Sequence, residues 1–303
     1  MQIGIIGAGA LGLYYGSMLQ RSGNQVHFLL RRDYETISAV GLKVFSINGD
    51  FCLTEVNCSK TAAEIGKVEL VLVGLKTFSN QDLIELVRPL VGTETAILTL
   101  QNGLGNEDLL AAAFGAEQVL GGVAFLCSNR GLPGEVHHLG EGRIRFGEVT
   151  GAISERCQQL AKLFAEAGIP CEVSDDLTRI RWEKLVWNIP FNGLCALTGK
   201  SVTELLLHAP TRQLVVSMMH EVISAANRQQ VKCQIDAVPF IERMLIASDA
   251  MTDYQPSMMI DRLEGRPLEL ESIYRIPLER ATATGTAMPQ VDMLLRLLLV
   301  GEN

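Results

Sequence analysis

The feature that most constrains the fold of this chain is a glycine-rich turn directly after an apolar run at its start. Residues 2–6 have the pattern of a buried strand, and residues 10–23 have the pattern of a helix that ends at Gly23. In that setting, G-x-G-x-x-G permits a tight turn, the approach of a pyrophosphate to the backbone and close helix–strand packing. A turn without a ligand is the alternative. The context favours a dinucleotide-binding loop made of Gly7, Ala8, Gly9, Ala10, Leu11 and Gly12.

Two cations are candidates for the phosphates of the dinucleotide. Arg31 follows the second strand-like run, QVHFLL, at the place where NAD-binding relatives of this fold carry an acid. Arginine instead suits a 2′-phosphate, so we predict NADPH as the cofactor, with a solvated basic turn beside Asp33 as the alternative. Lys76, after the run ELVLVGL, is a second candidate, and a surface lysine is its alternative.

The order of apolar and helix-like segments predicts an α/β fold. Strand-like runs alternate with helical patterns over the first half of the chain, which favours a parallel sheet with helices on both faces. Further along, residues 134–140 and 142–148, which meet at the dipeptide EG (141–142), predict a hairpin. From about Asp176 onward only helical patterns follow. The 303 residues therefore predict two domains, a Rossmann domain over 1–175 and an all-α domain over 176–303. No Pro/Gly/Ser-rich linker marks the boundary, so we expect the two to pack closely with a cleft between them.

Composition excludes several classes of function. The net charge of −8 and the absence of a basic stripe argue against nucleic-acid binding. The chain opens on a strand without a basic leader, and its apolar run near residue 296 is broken by arginine, so we predict a cytoplasmic protein without a membrane partner. Seven scattered cysteines without C-x-x-C predict reduced thiols, and five histidines without ligand spacing predict no metal site.

The segment RIRWEKLVWNIPFNGL, residues 179–194, carries an unusual polar stripe. Lys184, Asn188 and Asn192 lie at i, i+4 and i+8, so they share one face of a helix that is otherwise apolar nearly all round. A solvated face fits this pattern poorly, whereas a polar cavity with a ligand fits it well. Pro190 removes one helical hydrogen bond, so we expect Asn192 to be displaced from the ideal stripe.

Three further residues are candidates for the same site. Asn102, in QNGLG, follows an apolar run and is expected at the carboxyl end of a strand, where ligands bind; an ordinary Asn-Gly turn is the alternative. Ser257 and Glu269 are twelve positions apart. Their alternative roles are structural: Ser257 caps a short helix, and Glu269 lies in the first turn of a helix that Pro267 starts.

Taken together, these motifs resemble the ketopantoate reductase (2-dehydropantoate 2-reductase) family nearly end to end. The likeness rests on GAGALG, Arg31, LKTF around Lys76, QNGLG, WEKLVWNIPFN and the spacing from Ser257 to Glu269. It implies a Rossmann domain, a helical domain like the C-terminal part of 6-phosphogluconate dehydrogenase, and an active site in the cleft between them.

The resemblance also implies an activity: NADPH-dependent reduction of 2-dehydropantoate to (R)-pantoate, a step towards pantothenate and coenzyme A. Lys184 would be the general acid, and Glu269 would hold the substrate hydroxyl, orient the lysine and border the cofactor. Asn102 would lie where cofactor and substrate meet. The remaining substrate-binding residues would be Asn188, Asn192 and Ser257.

One departure leaves alternatives open. After Glu269 the family often has an acid and then Asn-Gly, whereas here Glu271 is followed by SIYRIP, which includes Tyr274, Arg275 and Pro277. A related NADP-dependent dehydrogenase for another 2-oxo or 3-hydroxy acid is therefore an alternative. A nucleotide-binding regulator without catalysis is a second, which the intact Lys184 argues against. The apolar C-terminal helices fit either a homodimer interface or packing within the domain.

Overall fold

A computed structural model describes residues 1–301, so positions 302 and 303 of the predicted helical domain lie outside the described residues. Internal contacts divide the chain into two compact units. Unit 1 comprises residues 1–101 and 106–177, and unit 2 comprises residues 102–105 together with the chain from 178 onward. No helix among residues 1–301 combines the length and the apolar character that a bilayer crossing requires.

Unit 1 is built around a single ten-stranded sheet. Its strands are β1 (Gln2–Ile6), β2 (Gln25–Leu29), β3 (Leu42–Ser46), β4 (Phe51–Leu53), β5 (Asn57–Ser59), β6 (Leu70–Val73), β7 (Ala96–Thr99), β8 (Val119–Arg130), β9 (Glu135–Glu148) and β10 (Cys171–Val173). The central strands β1, β6 and β7 are short and apolar, as expected for strands covered on both faces, whereas β8 and β9 are long.

The strand order brings the glycine loop after β1, Arg31 after β2 and Lys76 after β6 to one edge of the sheet. The order is β4-β3-β9-β8-β7-β6-β1-β2-β5, with β10 beside β9. From β8 through β5 all neighbouring strands are parallel. The carboxyl ends of β1, β2 and β6 therefore meet at the same edge, which is where ligands bind in open parallel sheets.

Helices cover both faces of this sheet, as the sequence predicted. Alternate residues of β6 point into two different cores: Leu70 and Leu72 into one, Val71 and Val73 into the other. Each core is closed by apolar residues of the helices. The helices of unit 1 are α1 (Ala10–Arg21), α2 (Tyr34–Val40), α3 (Ala62–Ile65), α4 (Asn80–Val87), α5 (Asn106–Phe114) and α6 (Glu155–Glu166).

The predicted hairpin over residues 134–148 is wrong, because those residues form one continuous strand, β9, that runs antiparallel to β8. Glu141 pairs with Leu126 while Arg143 pairs with the adjacent Phe125, so Gly142 is an extra residue in β9. Positive φ angles of 61° at Glu141 and 123° at Gly142 accommodate it. The dipeptide EG is therefore a β-bulge rather than a turn.

Unit 2 is helical, and most of its helices were predicted. The helix at 202–207 was not, although Ser201 and Glu204 form a capping box that marks its start. The short helix at 257–263 was expected only under the alternative role of Ser257, and it is present without that capping bond. The helix predicted to carry Glu269 begins later in the chain, as a π-helix that continues as an α-helix. The helices are α7 (Leu177–Thr198), α8 (Val202–Leu207), α9 (Ala209–Ala226), α10 (Ala237–Asp249), α11 (Ser257–Leu263), the π-helix (Glu271–Arg275), α12 (Ile276–Ala283) and α13 (Pro289–Val300).

Candidate functional site

The glycine loop of unit 1 is held in a tight strand–turn–helix unit. Gly7 has a φ of 94°, and a Cβ there would lie 2.3 Å from the Leu75 backbone nitrogen. A Cβ on Gly12 would lie 2.3 Å from the Gly7 carbonyl oxygen. No other residue type fits at either position without moving backbone, which explains two of the three glycines through packing alone.

Gly9 is explained differently, because a Cβ built on it would meet nothing within 4 Å. It precedes α1 as its N-cap residue, and no side chain caps that helix end. The first turn of α1 also has no acidic residue. The first backbone N–H groups of a helix have no partners within the helix and carry partial positive charge. Open space in front of an uncapped helix N-terminus fits a pyrophosphate.

Arg31 and the nearby Asp33 differ in whether they have an ion-pair partner. Asp33 is 1% exposed and forms ion pairs with Arg130, at the end of β8, and with Arg32. Arg31 is exposed and makes no hydrogen bond or ion pair with another of residues 1–301. The nearby acid is thus already neutralised, whereas the Arg31 guanidinium is available to an anion.

Lys76 is half-buried and immediately precedes a short 3₁₀ turn, Thr77–Ser79, after β6. The residues just before it pack against the glycine loop, since a Cβ on Gly74 would lie 2.8 Å from Leu11 Cδ2. Unit 1 therefore places the glycine loop and Lys76 at one edge of the sheet.

In unit 2, the predicted polar stripe lies on a helix that is buried around most of its circumference. α7 continues as an α-helix through Pro190. Lys184 is half-buried, while Asn188 is 5% exposed and Asn192 is 2% exposed. The Asn188 amide has no hydrogen-bonding partner within residues 1–301. Because a buried polar group without a partner is destabilising, Asn188 is available to a ligand.

Asn192 is used differently from Asn188. Its Oδ1 accepts a 3.2 Å hydrogen bond from the Met258 backbone N–H, and this bond fixes the start of α11. Ser257 is the first residue of α11 and makes no capping bond, which removes its alternative role as a helix cap. Its half-buried hydroxyl has no partner among the described residues. Asn192 thus positions Ser257 and keeps its own Nδ2 for a ligand.

Glu269 and Asn102 meet directly. Glu269 is 2% exposed, and its carboxylate accepts a 3.3 Å hydrogen bond from Asn102 Nδ2. The expectation that Pro267 starts a helix with Glu269 in its first turn is wrong: residues 267–269 are not helical, and the helix begins at Leu270. Proline fixes its own φ angle and lacks an N–H, which suits the first turn of a helix but does not set the residue at which the helix starts. Asn102 is more than a turn residue, since it places an amide against a buried carboxylate.

Sequence reasoning gave Tyr274 only as a departure from a family pattern. In the structure it is fully buried and donates a 2.8 Å hydrogen bond to the Ile189 carbonyl oxygen of α7. No periodicity signals such a contact, because it joins residues that are 85 positions apart.

Within residues 1–301, no three His, Cys, Asp or Glu side chains group as metal ligands would.

Comparisons with known proteins identify the same family over nearly the whole length of the chain. The family model described as "Ketopantoate reductase PanE/ApbA" matches residues 3–151, and its "C terminal" counterpart matches residues 176–302. A 2-dehydropantoate 2-reductase of Nostoc sp. is 42% identical over 308 residues, covering 99% of this chain and 95% of the relative.

Solved structures are similar as well. The crystal structure of 2-dehydropantoate 2-reductase from Geobacter metallireducens GS-15 has a TM-score of 0.97 at 58% identity, over 99% of both chains. The ternary structure of D-mandelate dehydrogenase with NADH and anilino(oxo)acetate has a TM-score of 0.91 at 24% identity, over 100% of this chain and 98% of that chain. At that identity the likeness is one of fold alone.

Proposed function

Because this chain belongs to the ketopantoate reductase family and is an oxidoreductase, we propose that it reduces 2-dehydropantoate to (R)-pantoate with NADPH. The product would feed the synthesis of pantothenate and coenzyme A. The proposed reaction adds a hydride to the C2 carbonyl carbon and a proton to the carbonyl oxygen.

The observation that carries this proposal is the polar face of α7. A half-buried ammonium, Lys184, lies one helical turn before Asn188, a buried amide without a protein partner. An anionic 2-oxo acid matches these groups, since it offers oxygen acceptors to both. Ser257 and the Nδ2 of Asn192 supply further hydrogen bonds that would orient the substrate and its carboxylate.

Lys184 acts as the general acid in this proposal. Its ammonium polarises the ketone oxygen before reaction and donates a proton from Nζ as negative charge develops there. Glu269 holds the substrate hydroxyl and orients the ammonium of Lys184. Asn102 keeps the Glu269 carboxylate in place through their hydrogen bond.

The residues of unit 1 fit a dinucleotide with a 2′-phosphate. The uncapped start of α1 and the open space at Gly9 suit the pyrophosphate. Arg31 suits a 2′-phosphate, while Asp33, the nearest acid after β2, is occupied by Arg130 and Arg32. Lys76 adds a cation at the same edge of the sheet. When bound, NADPH supplies the hydride for the C2 carbon.

A second candidate substrate is another 2-oxo acid. The segment after Glu269 departs from the family pattern, and D-mandelate dehydrogenase has the same fold. Tyr274 does not offer its hydroxyl to a substrate, since it is fully buried and bonded to the Ile189 carbonyl of α7. We therefore favour 2-dehydropantoate.

Steady-state kinetics across a panel of 2-oxo acids, with NADPH and with NADH, tests the proposal. The panel includes 2-dehydropantoate, pyruvate and benzoylformate. We expect the highest kcat/KM for 2-dehydropantoate with NADPH. Equal or higher kcat/KM for a simpler 2-oxo acid would contradict the proposed substrate, and NADPH binding without oxidation by any of them would contradict a catalytic role.

A further inference from the structure

We infer that Tyr274 is a positioning residue that holds the Glu269 segment in register with the substrate-binding asparagines of α7. The inference rests on the proposed function. It deepens that function, because it assigns a role to the part of the chain that departs from the family pattern.

The Tyr274 hydroxyl lies against one turn of α7, residues 189–193. It donates to the Ile189 carbonyl at 2.8 Å, and a Cβ on Gly193 would lie 2.5 Å from it. A carbonyl oxygen has two lone pairs, so Ile189 can accept from Tyr274 while α7 remains an α-helix. Burial raises the pKa of Tyr274, which keeps the hydroxyl protonated and able to donate.

The sequence of α7 leaves room for this contact. Pro190 has no N–H, so the preceding turn already lacks one hydrogen bond. Gly193 leaves room for the hydroxyl, because a Cβ there would lie only 2.5 Å from it. Both residues flank Asn192, and Asn188 directly precedes Ile189. The turn that Tyr274 contacts is therefore the one that carries the two asparagines.

The other end of this connection lies in the Glu269 segment. Tyr274 belongs to the π-helix Glu271–Arg275, and the Ile273 N–H donates to the Glu269 carbonyl at 3.2 Å. π-helical turns are rare and often occur at functional sites. The turn that leads into the π-helix thus starts at Glu269, the residue proposed to hold the substrate hydroxyl.

The same π-helix also fixes the loop of Asn102. The Leu104 N–H donates a 2.9 Å hydrogen bond to the Ser272 carbonyl. Gly103, with a φ of 81°, packs so closely that a Cβ there would lie 2.3 Å from the Ser272 oxygen. One short element therefore joins the Asn102 loop, Glu269 and α7. Tyr274 supplies its side-chain hydrogen bond to α7.

The test is Tyr274→Phe, which removes the hydroxyl and keeps the ring. Without the hydroxyl, the Ile189 carbonyl loses its bond from the Glu269 segment, and the asparagines of α7 are no longer held in register with Glu269. We expect KM for 2-dehydropantoate to rise about ten-fold or more, the scale of one lost or misaligned hydrogen bond, while KM for NADPH stays within about two-fold.

A matched control separates positioning from stability. Tyr15 is also fully buried and donates to a backbone carbonyl, that of Gly142. Tyr15→Phe should lower the melting temperature about as much as Tyr274→Phe but leave KM for 2-dehydropantoate unchanged. Both tryptophans, Trp182 and Trp187, lie on α7, so their emission reports whether α7 is folded in each variant.

A second variant provides an independent measurement. In Gly193→Ala the added methyl would press on the Tyr274 hydroxyl and, at 2.6 Å, on Leu294 Cδ2. The Leu294 contact is present with or without the hydroxyl, so it cancels in a double-mutant cycle. We expect the effects of Gly193→Ala and Tyr274→Phe on KM to combine less than additively.

The outcomes are distinguishable. A wild-type enzyme that does not reduce 2-dehydropantoate contradicts the proposed function, and the inference falls with it. A wild-type enzyme that reduces it, with an unchanged KM in Tyr274→Phe or additive effects in the cycle, contradicts the inference alone.

Discussion

The Asn102 amide donates a 3.3 Å hydrogen bond to the buried Glu269 carboxylate, and so joins two predicted site residues that are 167 positions apart. Both residues belong to unit 2, because residues 102–105 leave the sheet and pack with the helical part of the chain. Unit 2 therefore holds a donor, a carboxylate and the polar face of α7.

The first prediction concerns this pair. Asn102→Asp would place a second carboxylate against Glu269, and like charges this close repel strongly when buried. We expect kcat/KM for 2-dehydropantoate to fall further in Asn102→Asp than in Asn102→Ala. Asn48 is the matched control, since it also precedes a glycine but lies in an exposed turn. Asn48→Asp should keep wild-type activity, and equal activity of Asn102→Asp and wild type would remove Asn102 from the site.

A second prediction concerns cofactor choice. Arg31→Ala should raise KM for NADPH about 10- to 100-fold and leave KM for NADH nearly unchanged, because a hydrogen bond to a charged group contributes about 1.5–3 kcal/mol. Arg32→Ala, which removes a partner of Asp33, is the control and should have a smaller effect. A parallel loss with both cofactors would argue against a 2′-phosphate contact at Arg31.

Thiol reactivity follows from burial. Cys52 and Cys233 are exposed, whereas Cys157 and Cys195 are buried, and burial raises the pKa of Cys195 to about 12. We expect a thiol reagent at neutral pH to label Cys52 and Cys233 first in the native protein. All seven cysteines should react in denaturant without a reductant. Fewer than seven would reveal a disulfide and contradict the prediction of reduced thiols.

The helices of unit 2 carry an ion pair whose contribution depends on pH. Arg212 binds Asp249 through two hydrogen bonds of 2.7 and 2.8 Å and thereby holds the pKa of Asp249 below its usual value. A lowered folded-state pKa stabilises the protein above the unfolded pKa of about 4, and this stabilisation is lost as pH falls through the folded value. Asp249→Asn should therefore lower the melting temperature slightly at pH 7, and the difference should vanish in acid. A difference that is constant with pH would contradict this origin.

Local patterns predicted much of this fold. The glycine turn between β1 and α1 was predictable, since close packing at Gly7 and Gly12 admits no other residue. The polar stripe of α7 was predictable from helical periodicity alone. The bulge at Glu141–Gly142 was not, because residues with positive φ serve turns and bulges alike. Only the pairing partner, β8, decides between them.

Contacts between distant segments were beyond a single sequence. Periodicity placed Asn192 on the face of Lys184, but its bond to Met258 depends on where α11 packs. The bond from Tyr274 to Ile189 depends in the same way on a π-helix that no local pattern indicates. The sequence thus indicates which residues carry chemistry, and tertiary packing decides which of them are available to a ligand.

The most direct test of the account is turnover of 2-dehydropantoate with NADPH by the wild type and by Lys184→Ala, with the exposed Lys200→Ala as the control. Loss of a general acid typically costs about 10²- to 10⁴-fold in rate. We predict a loss of this size in kcat for Lys184→Ala, with wild-type affinity for NADPH and wild-type turnover in Lys200→Ala. Equal turnover in the wild type and Lys184→Ala, or none in the wild type, would contradict the account.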